Sequence, residues 1–450
     1  MEYGTLRFAI PLTLLAASLA SLAAPAQPDP KLSHYLSANG PELSDQQIKQ
    51  LRAGQAQAMG FDSRVRAMGS STYTYLRCFY RTGNNPKQPG TNYVWGLDPS
   101  SGGYFRIYGS WWSGGLLAWQ NMFYSDISQE RLQSVCQSTL AAKGIQQPVA
   151  MAFAADNSLS FNYTVWSNDS AIQGKRINKI VAFGDSLSDN MNMYNESLWK
   201  LPNKNSWYIG HFSNGYNWVE YLAQDLKLPL YNWAVGGAAV TTKDLVIRGV
   251  VEQVDSWKQY MQKAPAYQPQ NTLFTILIGG NDLINYGSSV DTVMQGETRA
   301  VQNLINAGAR NILLVKLPDV SHAPVFKYKG NAATVAAQVV DLNRRLDDLV
   351  ASLKAQYGSS LNIELFDSYA LFNDLLARPA SYGVSNTSDA CLDINADSSL
   401  NYLSSHPARS SCSNPDNFVF WDTLHPTTHT HKLLGERAAR FVQSNFVNLQ

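Results

Sequence analysis

Charge is scarce in this chain and nearly balanced: Asp, Glu, Lys and Arg make up 15% of 450 residues and leave a formal net charge of +1. Without a basic excess there is little to hold a polyanion, so nucleic acid is not expected as a partner. Cysteine is scarcer still, with four residues. None falls in a Cys-x-x-Cys pair or a Cys/His cluster, so no spacing suits zinc, and neither a metal nor an organic cofactor is expected. Beyond the amino terminus no apolar run is long enough to cross a bilayer. The Gly-x-Ser-x-Gly turn is also missing, which argues against the strained nucleophile elbow of the α/β-hydrolase esterases.

Aromatic side chains, by contrast, are abundant, with 11 Trp and 23 Tyr. Such residues fill cores, and they also suit surfaces with an apolar body and a wet edge. The length exceeds what one hydrophobic core usually organises and predicts two domains. Arg7, the apolar stretch from Phe8 to Leu22 and the small residues Ala24-Pro25-Ala26 read as a secretory signal over residues 1–26. Export would carry the four cysteines into an oxidising compartment, where an even number predicts disulfides. Of three connectivities, Cys78 with Cys136 and Cys391 with Cys412 keeps each bridge within one domain.

The texture changes near residue 170. Before it, segments such as TYTYLRCFYR and GYFRIYGSWWSGG predict short strands joined by turns. After it, apolar runs at Ile180 to Phe183, Leu273 to Ile278, Ile312 to Leu317 and Ile363 to Phe366 read as strands covered on both faces. Between them, helical spacing recurs, as in Val335, Val339, Leu342, Leu346, Leu349 and Leu353. Alternating strands and helices predict an α/β domain with a parallel sheet over residues 171–450, preceded by an aromatic-rich, β-containing accessory domain over 27–170. Ligands of such sheets sit beyond the carboxyl ends of the strands.

Four segments stand out, three of them at or near those ends: Val181-Ala182-Phe183-Gly184-Asp185-Ser186-Leu187-Ser188-Asp189, Asn232 to Ala238 with its paired glycines, Ile278-Gly279-Gly280-Asn281-Asp282, and Trp421-Asp422-Thr423-Leu424-His425-Pro426 before a helix from about Thr428 to Phe441. In this order they resemble the blocks of the GDSL/SGNH hydrolases over about residues 177 to 445. FGDSLSDN, NWAVGGA, IGGND and FVFWDTLHPTTHTH are most similar to the branch of secreted bacterial enzymes that holds the thermolabile haemolysins and glycerophospholipid-cholesterol acyltransferases. The resemblance implies a flavodoxin-like SGNH hydrolase fold in three layers. It also implies lipolytic activity on glycerophospholipids or lysophospholipids, release through a bacterial periplasm, contact with a membrane surface and cholesterol as a candidate acyl acceptor.

The residues support a physical reading of their own. A serine hydroxyl needs a base to become nucleophilic, and His425 is the candidate base for Ser186. Asp422, three positions earlier, is placed to fix the imidazole tautomer and stabilise the imidazolium. The Ser186 amide, an amide of the paired glycines and the Asn281 side chain would stabilise the oxyanion; Gly236 and Gly237 compete for the second place, and the resemblance implies Gly237. Asp189 and Asp282 are expected to hold their turns. His429 and His431 read as a solvated helix start, and His211 and His322 as local hydrogen-bonding residues. The cluster Trp111-Trp112 reads as an exposed, membrane-docking surface, with a packed buttress as the equal alternative. The segment from Cys391 to Cys412 shows little apolar periodicity and predicts an unpacked loop that controls entry; the resemblance implies an activating protease, for which Arg409 or Tyr402 and Leu403 offer sites. A carbohydrate deacetylase with a sugar-binding module and a non-catalytic adhesin stand as alternatives.

Overall fold

The computed structural model describes residues 72–112, 121–158, 160–167, 176–243, 247–262, 264, 266–446 and 449. The signal expected over residues 1–26 lies outside them. The described chain opens with β1 (Thr72–Arg81), β2 (Thr91–Trp95), β3 (Arg106–Trp112) and β4 (Met122–Ser125), followed by α1 (Gln129–Ala142), β5 (Val149–Ala155) and β6 (Thr164–Ser167). These six strands form one sheet, with β1 flanked by β2 and β3 on one side and β5 on the other. Strand alternation turns Leu76 and Cys78 toward α1, where they pack with Leu132, Val135 and Leu140. The Cys78–Cys136 disulfide pins the helix to that face.

Next come β7 (Lys179–Gly184), α2 (Asn192–Glu196), α3 (Trp218–Leu226), β8 (Leu230–Asn232), α4 (Val250–Met261), β9 (Thr272–Leu277), α5 (Gly280–Ile284), α6 (Val290–Asn306), β10 (Asn311–Val315), α7 (Ala332–Tyr357), β11 (Asn362–Phe366), α8 (Ser368–Ala377), β12 (Asn386–Ala390), β13 (Phe418–Phe420) and α9 (Thr428–Asn445). Strands β7 to β11 make the expected parallel sheet, in the order β11-β10-β9-β7-β8. Every residue of β7, β9 and β10 is buried, which is why these strands read as continuous apolar runs. β8 escaped notice because it is three residues long. The chain runs outward from β7 to β8 and back past β7 to β9, so the strand order reverses beside β7; the right-handed rule for parallel crossovers then puts helices on both faces. That reversal makes the crevice at the carboxyl end of β7 the natural place for a ligand.

The two sheets share a core. Trp166 of β6 lies over Tyr231 of β8 with ring centroids 4.1 Å apart and also meets Trp233, Tyr260 and Tyr267. Trp112 belongs to this packing, against Tyr260, and Trp111 to the accessory sheet's own core, against Phe123 and Tyr163; neither is exposed, at 3% and 6% accessible. A tryptophan pair whose two faces point into successive cores buttresses the fold and cannot dock a membrane. Among the described residues no helix is long and apolar enough to cross a membrane.

Candidate active site

β7 runs directly into the turn that carries Ser186. Its last residue, Gly184, has φ +154°, and a Cβ there would meet the Leu277 carbonyl oxygen at 2.5 Å, so glycine alone keeps β7 paired with β9 to its end. The Asp185 carbonyl then accepts the Ser188 and Asp189 N–H groups and closes the turn. The Asp189 carboxylate accepts N–H groups of Met191, Asn192 and Met193, which caps α2, and takes the Gly236 N–H at 2.8 Å, which ties the paired-glycine segment to the nucleophile turn. Asp189 therefore holds its own turn, as expected, whereas Asp282 accepts the Val240 N–H from 42 positions away and ties the chain after the paired glycines to its own segment.

Ser186 Oγ lies 2.7 Å from His425 Nε2, across 239 positions of chain. His425 Nδ1 is 3.0 Å from each Asp422 carboxylate oxygen. With Nδ1–H donated to the carboxylate, Nε2 is left to accept the serine proton. All three side chains are buried. Asp422 Oδ1 accepts the Leu424 and His425 N–H groups, and Oδ2 accepts Trp207 Nε1–H at 2.8 Å. Burial by itself would raise the Asp422 pKa, but the charge of His425 and hydrogen bonds from His425, Leu424 N–H and Trp207 outweigh it and hold the carboxyl below its ordinary value. It is therefore an anion facing the imidazole.

The Gly236 N–H is spent on Asp189, and Gly237 beside it sits at φ +79°. Neither the Gly237 nor the Ser186 N–H has an acceptor among the described residues. Asn281 gives one Nδ2 hydrogen to the Ala238 carbonyl and accepts Asn285 Nδ2 on Oδ1, which fixes its amide and leaves the other hydrogen for a ligand.

Two contacts to the triad carry no signal in the sequence. Trp207 is a lone indole in a Gly- and Asn-rich stretch, and Tyr402 lies in the Cys391–Cys412 segment. That segment is packed, against expectation: Leu392, Ile394 and Tyr402 are buried, and the Tyr402 and Leu403 carbonyls accept hydrogen bonds from Asn203. The Tyr402 hydroxyl stands 3.2 Å from His425 Nδ1, and its ring meets Trp207, Phe212 and His425. Arg409 is equally engaged, through Ala390, Ile394, Asn395 and Asp393. Side chains buried by tertiary contact, without periodicity, made this loop look empty.

The other histidines divide. His211 bonds Glu220 at 2.7 Å and the Ile209 carbonyl, as a local structural residue. His322 is exposed beside Asp319. His431 is 2% accessible and is not part of a solvated helix start, because the first turn of α9 faces inward; His429 bonds the Tyr382 carbonyl. No group of three or more His, Cys, Asp or Glu suited to a metal occurs among the described residues. Both disulfides, Cys78–Cys136 and Cys391–Cys412, are formed.

Residues 180–438 match the family model of the GDSL-like lipase/acylhydrolases, and residues 40–168 match that of the N-terminal domain of the Vibrio dual lipase/transferase. The chain is 45% identical over 372 residues to a thermolabile hemolysin of Vibrio parahaemolyticus, covering 82% of this chain and 87% of that one. It is 27% identical over 310 residues to a phosphatidylcholine-sterol acyltransferase of Aeromonas hydrophila, covering 60% and 91%. Among solved structures, a carbohydrate acetylesterase of Sinorhizobium meliloti is matched with TM-score 0.37 and 15% identity, over 60% of this chain and all of that one.

Proposed function

This chain belongs to the GDSL-like lipase/acylhydrolase family, and we propose that it is a lipolytic serine esterase that cleaves acyl esters of glycerophospholipids or lysophospholipids, with Ser186 as nucleophile, His425 as general base and Asp422 as its partner. The observation that carries the reading is the 2.7 Å contact of Ser186 Oγ with an imidazole whose other nitrogen faces a buried carboxylate. Ser186 Oγ attacks the ester carbonyl carbon as His425 Nε2 takes its proton. The negative charge that develops on the carbonyl oxygen meets the Ser186 N–H, the Gly237 N–H and Asn281 Nδ2, each such donor being worth about 3 to 4 kcal/mol of barrier. The alcohol leaves with the proton from His425, and water then resolves the acyl-enzyme by the same route in reverse.

An acyl acceptor other than water needs only a hydroxyl admitted to the same acyl-enzyme; the acyltransferase relative supports a sterol as that acceptor, and cholesterol is the sterol proposed. The substrate class makes a membrane surface the place of work, and secretion, by way of a bacterial periplasm, is part of the same proposal. So is an activating protease, with its cut at exposed Ser404 and Ser405, since Tyr402 is buried and Arg409 is held. The test is mass spectrometry of products from mixed vesicles of phosphatidylcholine and cholesterol. Free fatty acid or cholesteryl ester that disappears with Ser186→Ala supports the proposal; products undiminished in that variant overturn it.

A further inference from the structure

An apolar cavity of about 60 Å³ lies next to the triad, between α8, α9 and the segment after β10. Its wall includes Leu187, which follows Ser186, and Leu424 and Pro426, which bracket His425. The cavity wall thus includes the chain neighbours of both reacting residues. Phe372 and Leu375 of α8, Leu434 of α9 and Phe420 of β13 supply hydrocarbon to the rest of the wall.

Its few polar groups are spent or neutral. Ser368 Oγ donates to the Lys316 carbonyl, and Thr430 Oγ1 donates to the Val419 carbonyl at 3.0 Å. His431 Nδ1 is buried with no partner among the described residues. Burial, with the nearby His425 and His211, pushes its pKa down to about 3, so the ring brings no charge to the wall. A glycerol backbone or a headgroup would lose its hydration here without replacement, whereas hydrocarbon loses nothing.

We propose that this cavity receives the acyl chain of the substrate ester, and that Leu375 and Phe372 limit the number of carbons it admits. The inference rests on the esterase reading and deepens it: the carbonyl carbon bonds to Ser186 Oγ, and the chain turns past Leu187 into the wall formed by α8 and α9. At about 60 Å³ the space takes a short hydrocarbon segment. Each methylene withdrawn from water there contributes about four-fold in kcat/KM.

The test is kcat/KM for p-nitrophenyl esters from acetyl to palmitoyl, measured on the full chain and on Leu375→Trp and Leu375→Ala. Filling the cavity with Trp should lower kcat/KM for octanoyl and longer esters about ten-fold or more relative to acetyl, whose methyl does not reach Leu375. Opening it with Ala should move the optimum toward longer chains. Opposite shifts from the two variants cannot come from loss of folding, and Leu375→Ala alone decides the matter if the Trp variant does not fold. Unchanged profiles with intact, Ser186-dependent acetyl turnover overturn the cavity while the esterase reading stands. Activity that survives Ser186→Ala removes the reading beneath it. A shift in preference for the alcohol's chain length, measured with alkyl acetates, overturns the assignment to the acyl side.

Discussion

Asp422 is held by more than its histidine. Trp207 Nε1–H, Leu424 N–H and His425 N–H all converge on its carboxylate, so its orientation is fixed before His425 becomes charged. Asp422→Asn should cost about a thousand-fold or more in kcat, because an amide can neither hold the tautomer nor stabilise the imidazolium. Trp207→Phe keeps the ring and removes one hydrogen bond to a charged group, worth about 1.5 to 3 kcal/mol at most. Steady-state kinetics should show kcat lowered about ten-fold with KM within about two-fold. An unchanged kcat with a raised KM would place Trp207 at the substrate instead. Ser186, Asp422 and His425 were legible because their chemistry needs fixed residue types in short segments at strand ends. Trp207 was not, since an indole N–H that finds its carboxylate 215 positions away leaves no local pattern.

At the level of elements, the apolar runs announced four of the five parallel strands. What the pattern missed is contact made by loops. The Cys391–Cys412 segment delivers Tyr402 to His425 and ties itself to Asn203 and Ser206. Tyr402 is thus a positioning residue on the triad's rear, and Tyr402→Phe should lower kcat a few-fold without altering KM. Nicking between Ser404 and Ser405 with the disulfide intact leaves Tyr402 joined to Cys391 and the stretch from Ser405 joined to Cys412, and opens the loop at its exposed tip. Lipase turnover before and after limited proteolysis should rise several-fold; no change would reduce the loop to a clasp without a gating role. Trp111 and Trp112 misled for a related reason: strand alternation sends neighbours to opposite faces, and both faces are covered at this end of β3, although Arg106 and Tyr108 further back are exposed.

Over the whole molecule, the shared aromatic core makes the accessory sheet and the hydrolase sheet one packed body, and acidic groups are sealed within it. Glu297 is 1% accessible, its Oε2 has no partner among the described residues, and burial, with Asp282 nearby, pushes its pKa up to about 8. The folded chain therefore keeps a proton there that the unfolded chain releases near 4.5, so this group's contribution to stability is complete below 4.5 and is lost as pH rises through about 8. Glu297→Gln abolishes that titration. The difference in Tm, variant minus parent, should grow in the variant's favour between those two pH values; a difference that stays constant would mean Glu297 is ionised in the fold. The identity of the nucleophile is tested most directly by peptide mapping after reaction with a serine-directed organophosphonate. The expected result is one adduct, on Ser186, formed in step with loss of ester turnover and greatly slowed by His425→Ala. Turnover that persists with Ser186 fully modified, or inactivation with the adduct on another residue, would contradict it.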